Sequence, residues 1–327
     1  MRPMQITRRT LARLATAAIP ASLLSAKPDS KFNGVQIGAI TYSFRALPSS
    51  AEEVLGYCTG CNISSIEIMS NVAESYAGAP LPPQRPLGPP AGRVAPGAPR
   101  PQPTPEQLEE RRKAAQALSS WRSSASMGKF KAFRKMYEDA GVKIYAFKLP
   151  PALEMPEAEY EYIWNVAQTL GANHITMELP TNDEHLDRVA KYAAKRKLAI
   201  AFHTHGQGGA SGFDKVLAAS PYTALNFDVG HYYGVNGESP APLVEKYNSR
   251  ILSLHLKDRK GPKNGGANMP WGQGETPLKD ILQLMKRNKY KFPASIEYEY
   301  QTPEGSTVLA EMKKCVEYVR ETVKNLG

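Results

Sequence analysis

"EHLDRVAKYAAKRKLAIAFHTHG", residues 184–206, carries the unit from which the fold is read. Its first part is a helical pattern rich in charge on one side. Its second part, "LAIAFHTHG", is a short apolar run ending in His203 and His205. The run is apolar on both faces instead of alternating, as expected of a strand covered by helices on one side and packed into a core on the other.

Seven further runs of this kind stand in order along the chain: "VQIGAITYSF", "SSIEIMS", "KIYAFKLP", "HITMELP", "ALNFDVGHY", "ILSLHLKD" and "ASIEYEY". Helical patterns separate most of them, among them "AEEVLGYCTG", "WRSSASMGKFKAFRKMYEDAG", "EAEYEYIWNVAQTLGA", "APLVEKYNSR" and "PLKDILQLMKRNK". Strand and helix alternating to eight predict an α/β fold, a closed parallel (β/α)8 TIM barrel, as a single domain over residues 31–327. A doubly wound open sheet would place a glycine-rich phosphate turn after its first strand, and "ITYSFRALPSS" contains none.

Two segments stand outside this plan. Residues 1–30, "MRPMQITRRTLARLATAAIPASLLSAKPDS", combine the pair Arg8-Arg9, an apolar run from Leu11 to Leu24 and a small-residue stretch. This is the pattern of a twin-arginine export signal, and it predicts a periplasmic or secreted protein. The apolar run is shorter than the ~20 residues that span a bilayer, so no stable membrane anchor is expected. Residues 79–105 are crowded with proline and read as an inserted loop without a core of its own.

The 327 residues are 42% hydrophobic and 22% charged, ordinary for a globular chain, with a formal charge of +10. Part of that charge lies in the signal and the rest is scattered over helical faces. No basic stripe interleaved with aromatics is present, so nucleic acid is not an expected partner. Cys58 and Cys61, in "CTGC", lack the second pair or nearby His of a zinc site and read as small buried residues, with a local disulfide as the alternative.

Barrel strands deliver their C-terminal ends to one mouth, where residues distant in sequence converge. Those ends carry Glu67, Lys148, Glu178, His203, His205, Asp228, His231, His255, Lys257, Asp258, Glu297 and Glu299. Asp228 and His231 sit in "NFDVGHYYG", residues 226–234, read as a strand-to-loop junction. Carboxylates and imidazoles from neighbouring strands make an N/O site for one divalent metal ion, Mn, Co, Zn or Mg, with positions left for substrate oxygens. Such a site stabilises an enediolate while a neighbouring side chain moves the proton.

The ordered motifs "IEIMS", "MELP", "FHTHG", "DVGH", "RILSLHLKD" and "SIEYEY" resemble those of the xylose isomerase-like TIM barrels, often labelled sugar phosphate isomerases/epimerases. The resemblance runs from Val35 to the C-terminus. It implies four metal ligands from the last four strand positions, of which Asp228, His255 and Glu297 match three. For the first position, either Glu178 supplies the carboxylate or His203 replaces it. It also implies substrate binding by His231 and a second role for Glu297 as base. Lys257 is a further catalytic candidate, as are Glu178 and His231. Glu67, His205, Lys148 and Trp271 are candidates for binding substrate; Trp271 either stacks on a sugar ring or pins its loop.

The expected function is metal-dependent isomerisation or epimerisation of a sugar by proton abstraction next to a carbonyl. The alternatives are a lyase or hydrolase acting on a 3-keto-glycoside by β-elimination, a keto-polyol dehydratase, and an exported sugar-binding protein without turnover. The partner is a small-molecule sugar or oxidised glycoside, unphosphorylated if the protein is exported, and oligomerisation is left open.

Overall fold

The computed structural model describes residues 27–81, 103–207 and 209–324. Nearly all of the 1–30 segment and residues 82–102 of the proline-rich insertion lie outside these. No helix among the described residues is long and apolar enough to cross a membrane.

Eight parallel strands close into a barrel: β1 (Val35–Ile40), β2 (Ser65–Met69), β3 (Lys143–Lys148), β4 (His174–Glu178), β5 (Ala199–His203), β6 (Thr223–Asp228), β7 (Ile251–Leu256) and β8 (Ala294–Ile296). Each pairs with the next, and β8 pairs back onto β1 through Ala294↔Ile37, which leaves no open edge. Each lies within one of the runs read from the sequence, except that β6 begins one residue earlier, at Thr223.

The surrounding helices are α1 (Ala51–Gly60), α2 (Ser70–Ala77), α3 (Pro105–Arg122), α4 (Met127–Asp139), α5 (Glu157–Leu170), α6 (Asp183–Arg196), α7 (Ala210–Ala218), α8 (Val229–Asn236), α9 (Ala241–Tyr247), α10 (Leu278–Arg287) and α11 (Val308–Lys324). In α6, Leu186, Val189, Ala190 and Ala193 are buried, the stripe expected of a barrel helix. Cys58, Cys61 and Cys315 are buried and free.

Two local expectations change. The helical pattern beginning at Trp121 is split: α3 runs to Arg122, and Ser126 caps a new helix, α4, by accepting the Gly128 N–H. The start of α3 has a signature in "TPEQ", where Thr104 and Gln107 form a reciprocal capping box with proline in the first turn. The stretch 226–234 is a strand-to-helix junction, not strand-to-loop. Asp228 ends β6 and caps α8, its Oδ1 accepting the His231 N–H at 2.7 Å. The three-residue spacing of Asp228 and His231 is therefore the spacing of a helix cap.

Candidate active site

A two-residue period governs the barrel interior, because alternate side chains of a strand point to the same face. The upper inward layer holds His203, Asp228, His255 and Glu297, with Glu178 at the rim. Two residues earlier on four of those strands stand Thr176, Asn226, Ser253 and Ser295, all fully buried. This lower layer is polar, and its members bond upward and sideways. Asn226 Oδ1 contacts His203 Nδ1 at 2.7 Å, while its Nδ2 donates to Ser253 Oγ at 2.6 Å. Ser253 meets His174 Nε2 at 3.1 Å, and Ser295 bonds the Tyr145 hydroxyl. Gly38 makes the space, since a Cβ there would stand 3.0 Å from Ser295 Oγ and 3.2 Å from the Tyr145 ring.

Glu67 is enclosed in this layer, below the mouth. It accepts from Thr176 Oγ1 at 2.5 Å and Tyr145 OH at 3.3 Å and pairs with His255 Nε2 at 2.8 Å. Burial disfavours its charge, but His255, Lys148 and Thr176 overcome that and hold its pKa down at about 2. The other His255 nitrogen, Nδ1, lies 2.8 Å from Glu297 Oε2. Burial opposes charge on His255 as well, yet Glu297 and Glu67 on either side lift its pKa to about 10.

His203, Asp228, His255 and Glu297 bring one ligand atom each within 4.8 Å of one another, and all four are buried. Asn226 takes the His203 Nδ1 side, which turns Nε2 toward the group, 4.0 Å from Asp228 Oδ2. Burial drives the His203 pKa well down, with positively charged His255 adding to it, so the ring is neutral and able to ligate. Asp228 Oδ2 is buried and receives no hydrogen bond. The ammonium of Lys257 stands 3.0 Å from that oxygen, but off its hydrogen-bonding direction. Burial raises the Asp228 pKa to about 7 against the pull of Lys257. A buried carboxylate oxygen without a donor, facing the neutral His203 ring, a second carboxylate and His255, whose Nδ1 would ligate on giving up its proton, is a donor set that fits a divalent ion of borderline hardness.

Lys257 occupies the centre of the mouth. Its Nζ lies 2.8 Å from Glu297 Oε2, 2.6 Å from Glu299 Oε2 and 2.8 Å from His231 Nε2. Burial weakens its charge, and the three carboxylates more than restore it, raising its pKa. Glu297 is held well below the carboxylate range by Lys257 and His255 in spite of burial. The pKa of His231 falls to about 2 through burial and the nearby Lys257.

Glu178 is placed outside the group of four. One of its oxygens lies 3.1 Å from Lys148 Nζ and the other 3.4 Å from His205 Nδ1, at the rim. His205 is half exposed there. Trp271 packs edge-on against Tyr318, centroids 5.7 Å apart, in a loop whose amides from Gly272, Gly274 and Thr276 donate to Asp258. A Cβ on Gly274 would stand 2.1 Å from Asp258 Oδ1, so only glycine admits this anchor. His174 lies inside the barrel; His185 sits on α6 with Nε2 2.7 Å from the Pro151 carbonyl oxygen. The lower layer of Asn226, Ser253 and Ser295 was not read from the sequence, although each stands two residues before a site residue. Arg259, whose guanidinium reaches His231 Nδ1 at 2.7 Å, was also missed.

A family model described as xylose isomerase-like TIM barrel matches residues 100–319. Among curated proteins, an inosose dehydratase of Clostridium botulinum (strain Eklund 17B / Type B) is 27% identical over 157 residues, covering 42% of this chain and 52% of that protein. The chain thus spans about half the length of the curated relatives it matches. A xylose isomerase domain protein from Alicyclobacillus acidocaldarius superposes with a TM-score of 0.59 at 14% identity, over 88% of this chain and 100% of that one. The 3-keto-D-glucoside 4-epimerase of E. coli does so with a TM-score of 0.56 at 10% identity, over 88% and 99%. At such identities these likenesses show a shared fold.

Proposed function

The chain belongs to the xylose isomerase-like TIM-barrel family, and on that premise we propose that it is a metal-dependent enzyme that enolises a keto-sugar or keto-polyol, with isomerisation or epimerisation as the outcome. One observation carries this reading: four buried donors, His203, Asp228, His255 and Glu297, converge from the ends of four successive strands, with Asp228 Oδ2 lacking a hydrogen bond.

These four residues would hold one divalent ion, Mn, Co, Zn or Mg. When bound, it supplies positive charge against the negative charge that develops on adjacent substrate oxygens. The chain's own residues do the remainder. Glu67 accepts from His255 Nε2 and fixes the direction of that ring, as an outer carboxylate does for a ligating imidazole. The substrate proton passes to a carboxylate at the end of β8, where Glu297 and Glu299 converge on Lys257 Nζ. The electron pair of the broken C–H bond moves into the carbonyl. Return of the proton to the other face gives an epimer; return to the former carbonyl carbon, with the hydroxyl proton passing from one adjacent oxygen to the other, gives an isomer. Lys257 and His231 face the substrate oxygens as cation and hydrogen-bonding group, and Lys148, Glu178 and His205 form the rim that a sugar passes.

A second reading is favoured by the name of the relatives, inosose dehydratase. The same abstraction next to a carbonyl, followed by loss of hydroxide from the adjacent carbon, is dehydration. With a glycosidic oxygen as the leaving group it is β-elimination from a 3-keto-glycoside. The export expected from residues 1–30 belongs to the same proposal, and cell fractionation of the full chain tests it.

The experiment is incubation of the Mn- or Co-reconstituted protein in D₂O with ketoses, inososes and 3-keto-glycosides, read by NMR with and without chelator. Metal-dependent deuterium uptake next to the carbonyl supports enolisation, and the product distinguishes epimer, isomer, dehydrated ketone and released aglycone. Tight sugar binding that ignores chelator, with no exchange across the panel, overturns the enzyme reading in favour of a binding protein.

A further inference from the structure

Two lysines stand inside the mouth, and the barrel sets them opposite each other. In the closed ring of eight strands β3 lies four strands from β7, and β4 lies four from β8. Lys148 with Glu178 therefore faces Lys257 with Glu297 and Glu299 across the barrel axis. The group of His203, Asp228, His255 and Glu297 comes from β5 to β8, so a sugar held against it has a lysine–carboxylate pair on either side.

Lys148 reaches this position from below. Its backbone is in register with Thr176, whose side chain points inward to Glu67, and partners on adjacent strands share a face. The lysine side chain leaves β3 on the interior side and rises one layer to Glu178 Oε1, at 3.1 Å. It is only 15% exposed. Burial disfavours its charge, and Glu67, Glu178 and Glu297 more than restore it, so its pKa stands above the ordinary lysine value and the group keeps its proton.

The two lysines are engaged to different degrees. Lys257 Nζ has Glu299 Oε2, Glu297 Oε2 and His231 Nε2 within 2.8 Å, as many partners as it has N–H bonds. Among the described residues Lys148 Nζ has one partner, Glu178 Oε1, which leaves two N–H bonds without an acceptor. Buried donors are ordinarily paired, so these two are open to a group that enters the mouth. Spare proton and base thus stand on opposite sides, the ammonium at the end of β3 and the carboxylates at the end of β8.

We propose that Lys148 is the acid of the reaction: it delivers a proton to the face of the enediolate turned away from the β8 carboxylates, so that the product is an epimer, and Glu178 is the positioning residue that holds it there. A carboxylate at the end of β8 takes the proton from the carbon next to the carbonyl, and the electron pair of that C–H bond moves into the carbonyl. As the carbonyl re-forms, the pair returns to the carbon and takes a proton from the Lys148 ammonium on the opposite face, which inverts the centre. The lysine is left neutral and the carboxylate protonated, and exchange with water at the rim restores both. The proposal rests on the enolisation reading above and names the group that completes it.

The test is incubation of the Mn- or Co-reconstituted full chain in D₂O with the ketose, inosose or 3-keto-glycoside on which the wild type shows metal-dependent exchange. Wild type should give an epimer with one deuterium at the inverted carbon. Lys148→Met and Lys148→Arg should form it about a hundredfold more slowly, the contribution of a placed acid. Recovered substrate should still gain deuterium at the same carbon, because the β8 base is untouched. Arginine keeps the charge but cannot give up its proton, so it separates proton delivery from electrostatics and stands in where methionine fails to fold. Titration calorimetry should show wild-type metal affinity in Lys148→Arg, and Glu178→Gln should slow the epimer less than either lysine variant. Exchange and epimer formation falling in the same proportion, an epimer rate unchanged in a folded variant, a loss of metal affinity that accounts for the slower product, or an isomer or dehydrated ketone as the wild-type product overturns the proposal. Failure of the enolisation reading is registered separately, by the absence of exchange in the wild type.

Discussion

Two of the clusters of buried charge among the described residues are finished differently. Outside the barrel, Arg122 at the end of α3 bridges Glu74 on α2 and Glu159 on α5. Every carboxylate oxygen there has a donor. Glu74 Oε1 receives Arg122 Nε at 2.7 Å and Tyr162 OH at 3.0 Å, and its Oε2 receives Nη2 at 3.1 Å. Glu159 Oε2 receives Nη1 at 2.9 Å and its Oε1 the Ser119 hydroxyl at 2.5 Å. At the mouth, Asp228 Oδ2 is equally buried and receives no hydrogen bond, and three carboxylates crowd one lysine. Burying charge is costly unless it is paired and hydrogen-bonded. A cluster brought to completion serves the fold, and one left incomplete among side chains able to ligate a metal has capacity for something else.

Substitutions should break this contrast in opposite ways. At the mouth, Asp228→Ala should lower turnover about a thousand-fold or more, since it withdraws a ligand from a charge-stabilising site. Its thermal midpoint should change little, because removal of a poorly satisfied buried carboxylate offsets loss of the α8 cap, which is worth about 1 kcal/mol; calorimetry beside the exchange assay checks both. Arg122→Met should do the reverse, costing about 3–5 kcal/mol by stranding two buried carboxylates while the folded fraction keeps its activity. Denaturant unfolding measures the first and activity per folded molecule the second.

A smaller effect concerns the polar interior beneath the mouth. Burial lowers the His174 pKa to about 4 against an ordinary 6.5, so the folded state binds fewer protons than the unfolded one in that window. The stability it contributes is complete above pH 6.5 and is lost as pH falls toward 4, about 3 kcal/mol in all at 1.36 kcal/mol per unit. His174→Gln should flatten the stability profile between those values. Glu67→Gln should weaken metal affinity about 10- to 100-fold, as loss of an outer-shell partner does, with titration calorimetry as the measurement. Smallest is Ser119→Ala, which leaves one Glu159 oxygen without its donor and should cost about 1 kcal/mol.

The barrel strands were legible because each is a continuous apolar run closed by polar residues, a pattern that burial on both faces imposes on "AIAFH" or "ALNFD" without help from their neighbours. The break between α3 and α4 was harder, because a helical pattern continues across Ser123–Ser126 and only the caps mark the interruption. In the site, Asp228, His255 and Glu297 were visible as polar residues at apolar strand ends. Asn226, Ser253 and Ser295 were not singled out, since a small polar residue within a strand is ordinary until its partner across the barrel is known.

The sequence by itself therefore determined which elements form, their order, and which chemically capable residues arrive at the mouth, because periodicity and strand ends are local properties. Only the tertiary structure set His203 beside Asp228, His255 and Glu297 and held Glu178 at the rim against Lys148 and His205. It also turned Glu67 inward beneath His255 and laid Arg259 against His231. The reason is physical. Strand stagger and barrel closure fix depth and neighbours across the interior, and those distances are written in no single stretch of the chain.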